Sequence, residues 1–352
     1  MAFKKRPVTI RQVARAARVS TQTVSRVINE RPDVAPETRR RVQEVIDLLG
    51  YRPNAIARSL INQRSHTLGV VTLAGEYYGP ARTLVGIEEQ IRAEGYSLLL
   101  DLLHHPDTVD PNRIINRLLS HQVDGIIWAV PEIESSRNWL EEQVPHLPVP
   151  LICLSMGRRP NLNVAAIDNR TGGRQATEHL LEQGYRKIAL ITGPLYWWEA
   201  RQRQLGWRDA LEAAGFPPED RQMVEGDWTA ASGAQAIGRL YEQFPEMEAV
   251  FTSNDQMALG AMQQARSMGR SQPEQLGVVG FDDTPEAAYY WPPLTTMRNP
   301  LRQLGCRAVQ ELVQRIQADG PENPESGPIS ILLQPELIVR KSSLRSGNGG
   351  GA

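Results

Sequence analysis

Val8-Thr9-Ile10-Arg11-Gln12-Val13 and Val19-Ser20-Thr21-Gln22-Thr23-Val24 carry the same punctuation twice, a few residues apart. Each places a hydroxyl residue where a helix N-cap belongs and brackets it with apolar residues at staple spacing, Val8 with Val13 and Val19 with Val24. Thr9 with Gln12 reads as a capping box. The spacing predicts one short helix from Thr9 to near Ala17 and a second opening at Ser20, so two helices meet at a tight turn. Val13, Ala14, Ala17, Val24, Val27 and Ile28 fall on the inward faces. Thr21, Gln22, Thr23, Ser25, Arg26 and Asn29 project outward from the second helix. That outward face is short, polar and rich in donors. It suits a DNA major groove, where Arg pairs with guanine, Gln bonds adenine, and Ser, Thr and Asn reach phosphates.

A third helix is expected from Pro36, a residue suited to the first helical position, with Val42, Val45, Ile46 and Leu49 on one face and Gly50 as its stop. Beyond it, Pro53 breaks the chain and Asn54 can cap one more helix, barely two turns long, ending at Leu60. Such a segment is too short to be stable alone in water and is expected to form on DNA beside a partner subunit. Residues 1–66 hold fourteen Lys and Arg against five Asp and Glu, a net +9 in a chain whose total is −1. A small helical bundle with a merely solvated face would not need that imbalance. Attraction to phosphate is confined to this arm, and the acidic remainder is repelled by DNA.

The chain has 352 residues, 41% of them hydrophobic, enough for one small and one large domain. After a linker ending near His66, short apolar runs alternate with amphipathic stretches: Leu68–Leu73, Ser97–Leu103, Gly125–Val130, Leu151–Leu154, Ala165–Ile167, Lys187–Gly193, Ala249–Ser253 and Gly277–Gly280. This alternation predicts an α/β body of doubly wound parallel sheets, with ligands bound beyond the carboxyl ends of the strands. Polar groups gather at those ends: Asn254-Asp255, Asp282-Asp283, and Arg203 in the helix after Gly193-Pro194-Leu195. Asp and Arg suit vicinal hydroxyls, and Trp228 offers a face for a sugar ring.

From Val8 to Leu60 the chain resembles the DNA-binding and hinge region of the lactose-repressor (LacI/GalR) family. The likeness continues through Gly193-Pro194-Leu195, Glu225-Gly226-Asp227-Trp228, Ser253-Asn254-Asp255-Gln256-Met257-Ala258-Leu259-Gly260-Ala261, Val279-Gly280-Phe281-Asp282-Asp283 and Pro293-Leu294-Thr295-Thr296. Any one string is weak; their order and spacing over nearly the whole chain are specific.

The resemblance implies an all-α helix-turn-helix headpiece (1–52), a hinge helix and linker (53–66), a body of two lobes (67–164 with 294–341, and 165–293), and a disordered tail (342–352). It implies that Thr21, Gln22 and Arg26 read base edges and that Ser20, Thr23, Ser25 and Asn29 hold the backbone, with Thr9 heading the first helix of the same surface. Asn54, Ala57 and Leu60 belong to the hinge. In the family two such leucines wedge into the central base step through the minor groove and kink the duplex; ordinary packing at a domain junction is the plainer role for Leu60. Thr21 stands where the lactose repressor has an aromatic, so the operator half-site need not be the lactose one.

In the body, the resemblance implies that Arg203, Asn254 and Asp282 hold an effector, that Trp228 stacks on it, and that Tyr77 and Pro80 lie on the first-lobe wall. Arg203 with Asp282 as a structural ion pair, and Tyr77, Trp197 or Trp198 as core or surface aromatics, are the plainer readings. Ala129, Leu154 and Leu301 replace the polar and aromatic contacts of the lactose repressor. The tryptophans of Tyr196-Trp197-Trp198-Glu199 lie where a second ring can stack, which points to a di- or oligosaccharide such as a β-linked glucoside or galactoside.

The function expected is a sequence-specific repressor of carbohydrate-utilisation genes, released from a palindromic operator by that sugar. The chain shows no G-x-S-x-G, P-loop or dinucleotide glycine fingerprint, so no enzyme is expected. An exported binding protein would have no use for a basic head. A corepressor-dependent regulator of the purine type stays open. Two cysteines without a CxxC pattern and six histidines without H-x-x-x-H spacing predict no disulfide, metal or other cofactor. With no apolar run of membrane-spanning length and no signal core after Met1, the expected location is the cytoplasm, and the Gly- and Ser-rich end from Ser342 predicts dimers rather than a coiled-coil tetramer.

Overall fold

The computed structural model describes residues 8–29, 31–52, 64–73, 75, 77–104, 110–132, 134–318 and 327–345. The chain divides into two compact units, Met1–Ser65 and His66–Ala352.

Among the described residues, the first unit holds three helices, α1 Ile10–Ala17, α2 Thr21–Ile28 and α3 Pro36–Leu49. Their ends are set by the residues that announce them. Gln12 reaches back so that its Oε1 accepts from the Thr9 N–H at 2.7 Å, and the Ser20 hydroxyl accepts from the Thr23 N–H at 3.0 Å. Arg18 and Gly50 end α1 and α3 in the left-handed region, with φ of 52° and 62°. Val13, Ala14, Ala17, Val24, Val27, Val42 and Ile46 form the core, and Val8 and Val19 pack against it as staples. Asn54, Ala57 and Leu60, assigned to the hinge by the sequence, lie outside the described residues.

Among the described residues, the second unit contains two six-stranded sheets. β1 Thr67–Leu73, β2 Ser97–Leu103, β3 Gly125–Ala129, β4 Leu151–Leu154, β5 Asn163–Ile167 and β11 Ser330–Leu333 make the first, in the order β11-β5-β4-β3-β1-β2. β6 Ile188–Thr192, β7 Met223–Glu225, β8 Ala249–Thr252, β9 Gly277–Asp282, β10 Thr295–Arg298 and β12 Glu336–Ile338 make the second, in the order β12-β10-β9-β8-β6-β7. Pairing is parallel throughout except between β10 and β12. Apolar clusters lie on both faces of each sheet, which is why the central strands read as unbroken apolar runs.

The lobe boundaries expected from sequence need correction. Residues 165–167 were to open the second lobe, but they form β5, which pairs with β4 and β11 in the first sheet. Residues 294–298 were to lie in the first lobe, but β10 pairs with β9 in the second. The chain therefore crosses after Ile167 and again after Arg298. Helix Leu301–Ala318 packs on the first sheet, and β12 returns to the second. The tail also starts later than expected, because Ser342 and Ser343 are buried. The Ser342 hydroxyl donates to the Val278 carbonyl at 2.6 Å, and that of Ser343 donates to Thr295 Oγ1 at 2.7 Å. Cys153 is buried in the core, whereas Cys306 is half-buried with its thiol on the Gly86 carbonyl. No described helix is long and apolar enough to cross a membrane.

Candidate functional site

On the headpiece, α2 turns Val24 and Val27 into the core and leaves Thr21, Gln22, Arg26 and Asn29 exposed on the opposite side. Ser20 and Thr23 close the N-terminal turn, their hydroxyls 2.9 Å apart. Arg26 rests 3.3 Å from Asp33, both half in solvent, a pair weak enough to yield to a stronger partner. Asn29 Nδ2 lies 3.4 Å from Ser25 Oγ. Thr9 is exposed at the head of α1. Backbone donors at a capped helix N-terminus beside Gln and Arg side chains make a surface that can dock on phosphates and reach base edges.

In the second unit, the carboxyl ends of both sheets face one cavity of about 380 Å³. Tyr77, Pro80, Arg203, Trp228, Asn254 and Asp282 all line it, as do Ala129, Leu154 and Leu301. Helix Trp198–Ala213 carries Arg203 into the interior. Its Nε donates to Asn169 Oδ1 at 2.8 Å and its Nη1 donates to the Ser253 carbonyl. The guanidinium lies 3.8 Å from the centroid of the Phe281 ring. Burial pushes the Arg203 pKa down while the charges of Asp282 and Glu199 push it up. Asp282, at the end of β9, is raised by burial and pulled down by Arg203 and by the 3.1 Å bond from Asn299 Nδ2. The closest approach of Arg203 to Asp282 is 4.0 Å, outside hydrogen-bonding range, so a ligand hydroxyl can bridge them.

The turn that aims Asp282 is forced. Asp282 and Asp283 have φ of 114° and 52°, conformations costly for non-glycine residues. Asp283 is pinned by Arg298 Nε at 2.8 Å and by Arg340 Nη2 at 2.6 Å. Trp228 is also held in the left-handed region, at φ 75°. The Asp227 carboxylate accepts from the Thr229 N–H at 2.9 Å, and Asn254 Nδ2 donates to the Trp228 carbonyl at 2.9 Å. The indole lies so close over Gly193 that an added Cβ would come within 2.2 Å of its ring. Asn254 Oδ1 meanwhile caps helix Asp255–Ser267 through the Met257 N–H at 2.8 Å. Both atoms of the Asn254 amide thus bond inside the protein.

Trp197 ends the loop before helix Trp198–Ala213 and is buried in the apolar cluster of the first lobe. Its ring meets Tyr77 edge-on at 5.1 Å and Trp228 at 5.5 Å. Of the two tryptophans noted in sequence, Trp197 reaches the cavity. Glu199, Asn169, Gln256 and Asn299 also line it, and the sequence reading had not singled them out. For Glu199 the signal was its place one helical turn before Arg203, on the same face.

Comparison with known proteins fits both units. Bacterial regulatory proteins of the lacI family match residues 9–54, and a periplasmic binding protein-like domain matches residues 177–343. The HTH-type transcriptional repressor PurR of Haemophilus influenzae (strain PittEE) is 34% identical over 339 residues, covering 95% of this chain and 98% of the relative. The chain belongs to the LacI family. As a member it is a DNA-binding transcriptional regulator with a helix-turn-helix head and a periplasmic-binding-like body. Among solved structures, it is similar to the lac repressor dimer bound to operator and the anti-inducer ONPF, with TM-score 0.86, 32% identity, and coverage of 96% of this chain and 100% of that one. A complex of the transcriptional regulator CelR with cellobiose matches at TM-score 0.71 and 32% identity, with the same coverage. Among the described residues no group of three His, Cys, Asp or Glu is arranged to hold a metal ion.

Proposed function

We propose that this regulator represses carbohydrate-utilisation genes and is released from a palindromic operator when a neutral di- or oligosaccharide binds between its lobes. One observation carries the reading. Among the described residues, five buried polar atoms without a hydrogen-bond partner belong to side chains lining one cavity: Trp197 Nε1, Glu199 Oε2, Trp228 Nε1, Gln256 Oε1 and Asn299 Oδ1. Each unpaired group costs about 1–3 kcal/mol, and proteins rarely concentrate that cost where no ligand relieves it. Three of the five are acceptors, and Asp282 and Asp227 add carboxylates against a single arginine. Such a wall favours a ligand made of hydroxyl donors over an anion. The aromatic side chains of Tyr77, Trp197 and Trp228 provide the apolar contacts that a pyranose ring uses. A cellobiose complex of a related regulator supports the same class of ligand.

In this reading Arg203 and Asp282 bind hydroxyls, Trp228 stacks, Asn254 supports Trp228, and Tyr77 and Pro80 complete the first-lobe wall. Thr21, Gln22 and Arg26 read bases while Thr9, Ser20, Thr23, Ser25 and Asn29 meet the backbone. Asn54, Ala57 and Leu60 form the hinge helix on DNA. The protein works as a homodimer in the cytoplasm, each subunit reading half of a two-fold site. Effector binding favours the lobe arrangement that separates the hinges, and the coupling is reciprocal. No cofactor takes part.

Titration calorimetry with cellobiose, lactose and a purine base tests this. Saccharide binding with no purine binding supports the reading, and purine binding without any saccharide response overturns it.

A further inference from the structure

The effector cavity has two polar corners rather than one. Arg203, Asp282 and Asn299 form the first. The second is Glu199, four residues before Arg203 on helix Trp198–Ala213 and therefore just over one turn, about 6 Å, along the same face. The same cavity is lined by Ala129, Leu154 and Leu301 from the first lobe and by Trp197, whose ring bridges Tyr77 and Trp228.

Glu199 has no counter-ion to itself. Arg203 is taken up by Asn169, the Ser253 carbonyl and Asp282. Arg201 donates Nη1 to the Leu195 carbonyl at 2.9 Å. Glu199 Oε2 is shut off from solvent without a partner among the described residues. Burial raises the pKa of the carboxyl, against the opposing pull of its own backbone N–H, Arg203 and the Ser155 hydroxyl. A carboxylate oxygen shut off from solvent and left without a hydrogen bond is costly. Its contact with Ser155, just after β4, also joins the second lobe to the first.

We propose that Glu199, with Ser155, forms a second sugar subsite that accepts a hydroxyl of the effector's second pyranose ring and so selects disaccharides over monosaccharides. The inference rests on the saccharide reading above. A carboxylate at this corner also rejects phosphorylated and acidic sugars by like-charge repulsion.

The test is calorimetry on the full chain with cellobiose, lactose and methyl β-glucoside, comparing the wild type with Glu199→Gln and Ser155→Ala, each checked for an unchanged melting temperature. The wild type is expected to bind its better disaccharide at least about tenfold more tightly than methyl β-glucoside. Glu199→Gln should weaken disaccharide binding about tenfold and leave the monosaccharide within about twofold, so the preference collapses. Ser155→Ala should shift the preference the same way by a smaller factor and serves as the readout if Glu199→Gln does not fold. Equal weakening of both ligands, no change in either, or a wild type without preference overturns the second subsite while leaving the saccharide reading intact. A wild type that binds none of the three overturns both.

Discussion

Asn254 is tied to Trp228: its Nδ2 donates to the Trp228 carbonyl at 2.9 Å while its Oδ1 caps the following helix at the Met257 N–H. One side chain thus sets both the start of helix Asp255–Ser267 and the left-handed turn that presents the indole. Asn254→Ala should cost about 1 kcal/mol for the lost cap. It should also weaken effector binding because Trp228 loses its anchor. Urea unfolding and calorimetry on the same variant separate the effects, and full affinity despite lost stability would show that Gly193 and the Asp227 turn suffice to hold the ring.

Arg203 and Asp282 face each other too far apart for a direct hydrogen bond, yet both are buried. Arg203→Ala strands Asp282 without its cation and should destabilise the body by about 3–5 kcal/mol. Asp282→Asn keeps the shape and the Asn299 contact, so its stability loss should be smaller while effector affinity falls sharply. Chemical denaturation and ligand titration of both variants check the ordering; a milder loss for Arg203→Ala than for Asp282→Asn would contradict it.

Asp255 accepts from Thr296 Oγ1 at 2.6 Å and from the Thr284 N–H at 2.8 Å. Burial, reinforced by the charge of Asp282, pushes its pKa up to about 8. The folded value lies above the unfolded one, so between about pH 4 and pH 8 the native state holds a proton that the unfolded chain has released. The contribution of this group to stability is therefore full at acid pH and is lost as pH rises through that window. Unfolding free energies at several pH values should show a fall that Asp255→Asn removes, on the order of a few kcal/mol across the window. An identical pH slope in the variant would contradict the assignment.

On the headpiece, Gln22→Ala should reduce discrimination among operator sequences by about 1–3 kcal/mol at one base pair, with little change in the salt dependence of binding. Leu60→Ala should weaken operator binding and spare effector binding. Anisotropy titrations of labelled duplexes at several salt concentrations, with calorimetry for the effector, check both; a Leu60→Ala variant unchanged in operator affinity would remove the hinge from the account.

The headpiece was legible because its signals are local. Thr9, Ser20, Pro36 and Gly50 stand at the helix ends that they mark, and the staples Val8 and Val19 lie beside the core. The central strands were legible as apolar runs, whereas the lobe boundaries drawn at the two crossings fell a few residues short of Ile167 and Arg298. Thr295-Thr296-Met297-Arg298 is polar and proline-flanked, yet becomes β10 because partners some 45 residues away, Arg340 and Ser342, satisfy Thr295. Ser342 and Ser343 read as tail for the same reason. The residues that the resemblance pointed to line the cavity, and so does Glu199, to which it did not point. A glutamate in the first turn of a helix reads as a partner for the helix dipole, and only the fold reveals that its Oε2 is shut off from solvent without a hydrogen-bond partner.

The account stands or falls on the coupling between cavity and headpiece. A duplex selected from a random palindromic library should be titrated with the full chain, at one moderate ionic strength, with and without a saturating disaccharide. The account predicts clear preference for the selected site and a fall in its affinity of about 5–150-fold when the sugar is present. An affinity that the bound sugar leaves unchanged, or raises, would contradict it.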